Sequence, residues 1–90
     1  MTRTAAAAIK VFWQPGCASC LRTKEFLAKH EVPFISVNVL EDGFQDLERF
    51  GLRQVPIVLR EDEWVNGQVL ADVARIAGVK LSQVTQLPGR

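Results

Sequence analysis

The pattern of hydrophobic and polar residues predicts strands and helices that follow one another along the chain. Ile9–Trp13 is apolar apart from Lys10, which is typical of a strand buried on both faces. Residues 17–29 are good helix formers and are followed by Pro33, where a helix cannot continue. The predicted apolar stripe of this helix consists of Cys17, Cys20, Leu21, Leu27 and Ala28. Residues 33–40 alternate with a period of two, which predicts a second strand.

The second half of the chain predicts a short helix, a hairpin and a closing helix. These elements are a helix over 44–50, a strand over 53–60 that Pro56 opens, a short strand at Trp64-Val65 and a helix over 69–77. Asp42 is positioned to cap the first of these helices, with Gln45 in the return position of a capping box. Gly51 and Gly78 end the two helices. The order β-α-β-α-β-β-α predicts a parallel βαβ unit followed by an antiparallel pair.

The length and charge of the chain fit one small domain. The chain has 90 residues, of which 48% are hydrophobic and 23% charged, so we expect one domain over 1–90. Its elements lie at about 9–78, and residues 79–90 form a C-terminal extension. The net charge of +1 does not favour nucleic acid or an anionic membrane as a partner. No apolar run approaches the roughly 20 residues of a membrane span, and we expect a monomer.

A short alanine run near the N-terminus resembles a signal peptide only faintly. Ala5–Ala8 follows Arg3, but Lys10 places a charge where the apolar core of a signal peptide would continue. We therefore interpret the run as a lead-in to the first strand and expect a cytoplasmic protein. A cysteine pair in that reducing compartment is more often catalytic than structural.

Both cysteines of the chain lie at the predicted start of the first helix. The strand ends at Trp13, Gln14-Pro15-Gly16 is a turn, and the helix begins with Cys17-Ala18-Ser19-Cys20. Neighbouring helical turns bring the two cysteine Cα atoms within the roughly 4.4–6.8 Å that a disulfide requires. Unpaired N–H groups and the helix dipole favour the thiolate, so the pKa of Cys17 should lie below the roughly 8.5 of a free thiol. Cys17 is the predicted nucleophile of thiol–disulfide exchange, and Cys20 is the predicted resolving thiol.

Two structural interpretations of the same motif stay open. Zinc needs about four ligands, and only His30, at the far end of the helix, adds a soft ligand to the cysteines, so no metal site is predicted. The cysteines could instead be unreactive core residues. The strand, turn and helix around the motif favour redox chemistry over both alternatives. Lys24 lies on the cysteine face of the helix, from where it can approach the thiols.

The order of elements and two motifs resemble the glutaredoxin branch of the thioredoxin fold, over about Ile9 to Gly78. Glutaredoxins and the related small electron donors of ribonucleotide reductase read Tyr-Thr-Lys-Pro-x-Cys-x-x-Cys, to which residues 12–20 correspond. Their Thr-Val-Pro corresponds to Gln54-Val55-Pro56. The resemblance implies a three-layer α/β sandwich with a four-stranded mixed sheet and no tightly bound cofactor. It also implies a dithiol oxidoreductase that reduces protein or glutathione mixed disulfides.

The resemblance further implies a substrate groove around the thiol. Val55-Pro56 is expected as a cis bond that faces Cys17, with Gln14 and Pro15 beside it. The expected partners are glutathione, proteins that carry disulfides, and a recycling enzyme similar to thioredoxin reductase.

The glutathione site of that family is only half present. Gln14 stands where the family has a lysine, and residues 68–72 keep only the last aspartate of the family's Gly-Gly-x-Asp-Asp. Asp72 therefore remains as a contact for the glutamyl end, and Arg53, with Arg22, remains as a partner for a carboxylate. We therefore expect glutathione as a co-substrate, although the sequence lacks part of the site that makes the family specific for it.

Two rival functions share the motif. The segment from Pro15 also resembles the start of arsenate reductases and Spx-type regulators, in which a Cys-x-x-Cys senses oxidation and the domain binds RNA polymerase. Those chains insert further helices before the Val-Pro segment, whereas about fifteen residues separate Leu40 from Val55 here. A thioredoxin-fold binding module with an unreactive cysteine pair is the third hypothesis. Trp13 and Trp64 are candidates for a docking surface near the active site.

Overall fold

The computed structural model describes residues 8–79, which form four strands and four helices. The strands are β1 (Ile9–Trp13), β2 (Ile35–Asn38), β3 (Ile57–Arg60) and β4 (Glu63–Asn66). The helices are α1 (Ala18–Lys29), α2 (Val39–Asp42), α3 (Gln45–Glu48) and α4 (Leu70–Ala77). The predicted order is confirmed, with two short helices where one was expected. The alanine run before Ala8 and the extension over 80–90 lie outside the described residues.

The strands form one mixed sheet in the order β2-β1-β3-β4. β1 pairs in parallel with β2, while β3 pairs antiparallel with both β1 and β4. Across the sheet, Phe12 lies opposite Ile57, which in turn lies opposite Asn66. The end of β1, the start of β3 and the end of β4 therefore lie at the same end of the sheet, which we call the Trp13 end.

Helices cover both faces of the sheet, which confirms the predicted three layers. On one face Val11 packs with Leu27 of α1 and Val73 of α4 in a single buried cluster. On the other face the neighbouring Phe12 packs with the short helices α2 and α3. Side chains of a strand point alternately to its two faces, so the apolar run of β1 supplies both cores. Full burial of such a side chain contributes about 1.5–3 kcal/mol to the free energy of unfolding.

The predicted apolar stripe of α1 is partly wrong. Leu21 is 56% exposed and Ala28 is exposed as well. The buried residues of the helix are Cys20, Thr23 and Leu27. The stripe was misplaced because a polar residue, Thr23, occupies the centre of the buried face, where its hydroxyl has hydrogen-bond partners.

The segment after β2 differs from its prediction in length and capping. The strand expected over 33–40 is confined to Ile35–Asn38, because the Asn38 side chain accepts a hydrogen bond of 2.9 Å from Leu40 N–H and begins α2. Asp42 ends α2 and does not cap the next helix. α3 is a short helix whose cap residue, Phe44, makes no side-chain hydrogen bond.

The hairpin and the last helix agree with the sequence in type and differ in their bounds. β3 begins at Ile57, so residues 53–56 precede the strand. α4 begins at Leu70 and ends at Ala77, and its C-cap is Gly78, whose φ of 80° is the left-handed conformation that glycine adopts readily. Within residues 8–79 no helix has the length and apolar character that crossing a membrane requires.

Trp64 does not lie at the Trp13 end of the sheet. It pairs with Leu59, which pairs with Lys10 on β1. Three strand positions therefore separate its level in the sheet from Trp13, or about 10 Å at the usual rise per residue. The expectation that both tryptophans flank the candidate site is wrong for Trp64.

Candidate active site

The two cysteines lie where the chain leaves β1 and begins α1. Gly16, at a φ of 83°, completes the turn that follows Pro15. Cys17 is the N-cap of α1, with extended backbone angles, and its Sγ accepts a hydrogen bond of 3.1 Å from Cys20 N–H. The sulfur thus occupies the position that a serine or aspartate oxygen usually takes at a helix start.

Cys17 and Cys20 form a disulfide, and their Cα atoms are 5.2 Å apart. Cys20 is completely buried, whereas Cys17 is partly exposed. An incoming disulfide can therefore reach the sulfur of Cys17 but not that of Cys20. This asymmetry fits an attacking thiol and a resolving thiol.

A cavity of about 360 Å³ opens beside Cys17. Its lining includes Trp13, Gln14, Pro15, Cys17, Leu21 and Lys24. Gln14 and Pro15, predicted from the sequence, do lie beside the thiol. The Lys24 Nζ lies 3.9 Å from the centroid of the Trp13 ring, a distance typical of a cation–π contact.

One helical turn after Cys20, the Thr23 side chain connects α1 to Gly67, the residue that follows β4. The Thr23 hydroxyl lies 2.7 Å from the carbonyl oxygen of Gly67 and 3.0 Å from that of Ser19, and it donates to one of them at a time. The Gly67 N–H donates a hydrogen bond of 2.9 Å to the Pro56 carbonyl oxygen. Thr23, Gly67 and Pro56 thus form a buried junction between α1, the residue after β4 and the residue before β3. We call it the Gly67 junction.

The Val55-Pro56 bond is cis, as the resemblance implied. Pro56 is fully buried, and Val55 packs against the cluster that contains Phe12. Because Ile57 lies opposite Phe12, continuing the register by one residue places Pro56 beside Trp13. The cis bond therefore lies at the same end of the sheet as the cysteine turn.

The other predicted contacts lie apart from the described lining of this cavity. Arg53 is 74% exposed at its side chain, and its nearest carboxylate is that of Glu48 at 3.8 Å. Asp72 is partly buried in the first turn of α4. Thr23 and Gly67 were missed, because a threonine inside an apolar stripe and an Asn-Gly pair both have common structural interpretations.

The described part of the chain, residues 8–79, contains no group of three His, Cys, Asp or Glu side chains that could hold a metal ion. Between β2 and β3 it contains only α2 and α3, each of four residues, so the further helices of the sensor-type chains do not occur there.

After reduction, we expect the pKa of Cys17 to lie below that of a free cysteine, since its sulfur accepts an N–H at a helix N-terminus. The rate of alkylation by iodoacetamide should then rise at a lower pH for Cys17 than for a cysteine peptide. Mass spectrometry of the alkylated peptides separates Cys17 from the buried Cys20, and the Cys20→Ser variant provides a single-thiol control. A Cys17 midpoint at or above that of the peptide would contradict the expectation.

A disulfide that caps a helix at the end of a central strand, in a mixed sheet covered on both faces, defines a class of protein. That class is the dithiol–disulfide oxidoreductases of the thioredoxin fold. Comparison with known families agrees with this class and identifies the family within it. The profile of the family described as Glutaredoxin matches residues 9–68, and the chain belongs to the glutaredoxin family. Its activity is thiol–disulfide exchange by the Cys17–Cys20 pair.

Individual relatives are similar over most of the described chain. The glutaredoxin-like protein NrdH of Lactococcus lactis is 24% identical over 71 residues, which are 77% of this chain and 99% of that protein. The crystal structure of the thioredoxin-like protein BC3987 has a TM-score of 0.67 and 27% identity, covering 76% of this chain and 97% of that one. The NrdH-redoxin of Escherichia coli, described as glutaredoxin-like with a thioredoxin-like activity profile, has a TM-score of 0.66 and 24% identity, covering 77% and 93%.

Proposed function

We propose that this oxidoreductase reduces disulfides of proteins and is itself recycled by a reductase enzyme, without glutathione as its reductant. The composition of the cavity beside Cys17 carries the proposal. Leu21 is 56% exposed there and Trp13 forms an aromatic wall, which together offer apolar area to a protein surface. Gln14, in the same lining, is neutral where glutaredoxins have a lysine.

The positions that would hold glutathione support the same proposal. Glutathione has two carboxylates that need cations. Lys24 is the one cation in the described lining, whereas Arg53 lies outside that lining, near Glu48. At the start of α4, Val69 is 44% exposed where the family has glycine, so this position carries a side chain that the family's glutathione site lacks. Of the residues predicted to hold glutathione, Arg53 and Asp72 therefore lie outside the described lining of the cavity beside Cys17.

The reaction proceeds by two exchanges. The Cys17 thiolate attacks one sulfur of the substrate disulfide, the substrate S–S bond breaks, and the second substrate sulfur leaves as a thiolate that takes up a proton. The Cys20 thiolate then attacks the Cys17 sulfur of the mixed disulfide and releases the first substrate thiol. The substrate gains two electrons, and the Cys17–Cys20 disulfide is formed.

We propose that the backbone at Val55, next to the fully buried Pro56, lines the groove that receives the substrate backbone. Both residues lie at the Trp13 end of the sheet, next to the strand that leads to Cys17. Gln14 and Pro15, which line the cavity beside Cys17, are the proposed opposite wall. A dithiol donor of this kind works in a reducing compartment, so we also propose that the protein acts in the cytoplasm.

Coupled turnover distinguishes the two reductants. With insulin as the disulfide substrate, NADPH oxidation should be fast with thioredoxin reductase and slow with glutathione plus glutathione reductase. The Gln14→Lys variant restores the family's cation and should raise the glutathione-coupled rate, and Gln45→Lys, at an exposed site on α3 outside the described lining, is the matched control. Faster turnover with glutathione than with thioredoxin reductase would overturn the proposal.

A further inference from the structure

The described lining of the cavity beside the disulfide contains a single charged residue. Cys17, Leu21 and Lys24 are spaced i, i+4 and i+7, so they lie along one face of the helix. A helical side chain leans toward the N-terminus of its helix, so Lys24 reaches back toward Leu21 and Cys17. All three line the cavity, and Lys24 is the only charged residue among the described lining.

Trp13 holds the Lys24 ammonium at this place. The Nζ lies 3.9 Å from the ring centroid, and tryptophan gives the strongest contact of this kind among the aromatic residues. The ring covers one side of the ammonium and leaves its other N–H groups for a ligand. The ion pairs found among residues 8–79 use Lys10, Arg49, Arg53 and Arg75, and Lys24 takes part in none of them.

We propose that Lys24, positioned by Trp13, is a specificity-determining residue that recognises an acidic group next to the disulfide of the substrate. A carboxylate in the cavity would meet the Lys24 ammonium and, apart from the attacking Cys17 thiolate itself, no negative charge of the described lining. The ammonium therefore favours disulfides flanked by Asp or Glu over those flanked by Lys or Arg. This inference rests on the proposed reduction of disulfides by Cys17 and adds the charge of the preferred substrate.

Three small disulfides of similar size and different charge test the inference. Dithiodipropionate is anionic, bis(2-hydroxyethyl) disulfide is neutral and cystamine is cationic. The second-order rate constant of the reduced protein with each is measured by acid quenching and intact mass. The quantity compared between variants is the ratio of the anionic to the cationic rate constant, in which any change in the thiolate fraction of Cys17 cancels.

Lys24→Gln should lower this ratio about tenfold at low salt, since the lost charge acts with opposite sign on the two probes. Lys29→Gln is the matched control, because Lys29 is exposed on the same helix about 18 Å along its axis from Cys17. It should leave the ratio unchanged. Raising the ionic strength to 1 M should lower the ratio in the native protein and much less in Lys24→Gln.

The possible results separate three cases. An equal fall with all three probes in Lys24→Gln would mean that Lys24 acts only on the thiol, and would overturn the inference. Trp13→Leu should also lower the ratio, and an unchanged ratio in that variant would overturn the positioning role of the ring. If the native protein reacted with none of the probes, the proposed function itself would fail, which is a different result from a ratio insensitive to Lys24.

Discussion

The Cys17→Ser variant should show no measurable reduction of a disulfide substrate, a loss of at least roughly 10³-fold in turnover. The accessible sulfur of the pair is that of Cys17, and the fully buried Cys20 cannot replace it. Serine is a good N-cap residue, so its oxygen can take over the hydrogen bond from Cys20 N–H and α1 should still form. The measurement is insulin reduction under saturating thioredoxin reductase, with far-UV circular dichroism to show that the variant is folded.

The Cys20→Ser variant is the matched control for this loss. It keeps the attacking thiol and lacks the resolving one, so it should react once and stop at a mixed disulfide. Intact mass should then show one substrate adduct, and digestion should place it on Cys17. An adduct-free Cys20→Ser protein, or a Cys17→Ser protein that still turns over, would contradict the assignment of roles to the two cysteines.

Gly67→Ala should lower the free energy of unfolding by about 1–3 kcal/mol, and Tm by roughly 5–20 °C. A Cβ at position 67 would lie 2.8 Å from Pro56 Cβ and 3.1 Å from the Thr23 hydroxyl oxygen. The proline ring is rigid and buried, so it cannot rotate away, and the backbone after β4 must move away from Pro56 and Thr23 instead. Thr23 of the Gly67 junction lies one helical turn after Cys20, so turnover should fall together with stability.

Gln68→Ala is the control for stability at the neighbouring position. Gln68 is exposed, and its backbone N–H donates to the Asn66 side chain, a bond that alanine retains. The free energy of unfolding should therefore change by less than about 0.5 kcal/mol. Urea denaturation of the reduced forms compares the two variants, and a Gly67→Ala protein as stable as Gln68→Ala would show that the junction relaxes without cost.

The sequence predicts most of the fold because its elements follow simple periodic rules. The buried run of β1 and the glycine that ends α4 both have direct physical signatures, and the structure contains them as expected. Errors occur where a side-chain hydrogen bond replaces a hydrophobic contact. Asn38 ends β2 by capping α2, and Thr23 takes the centre of the buried face of α1. Neither interaction has a periodic pattern in the sequence.

The candidate site is predictable in its chemistry and less so in its surroundings. The spacing of Cys17 and Cys20 is sufficient to indicate a disulfide at a helix start. By contrast, the contact between Lys24 and Trp13 joins a helix to a strand, and the position of Gly67 under α1 depends on the register of the hairpin. Such contacts between distant segments follow from the packed fold and not from local sequence.

The cap of α1 has a consequence for how the helix behaves during a reaction cycle. The acceptor for Cys20 N–H is the reactive sulfur itself, and no acidic residue in the first turn of α1 can substitute for it. Each change in what Cys17 is bonded to is therefore also a change in the end group of the helix, between a charged thiolate and a neutral, substituted sulfur. The same atom that exchanges electrons is thus also the cap of the first helical turn, so the charge at that end of α1 changes with the oxidation state of the protein.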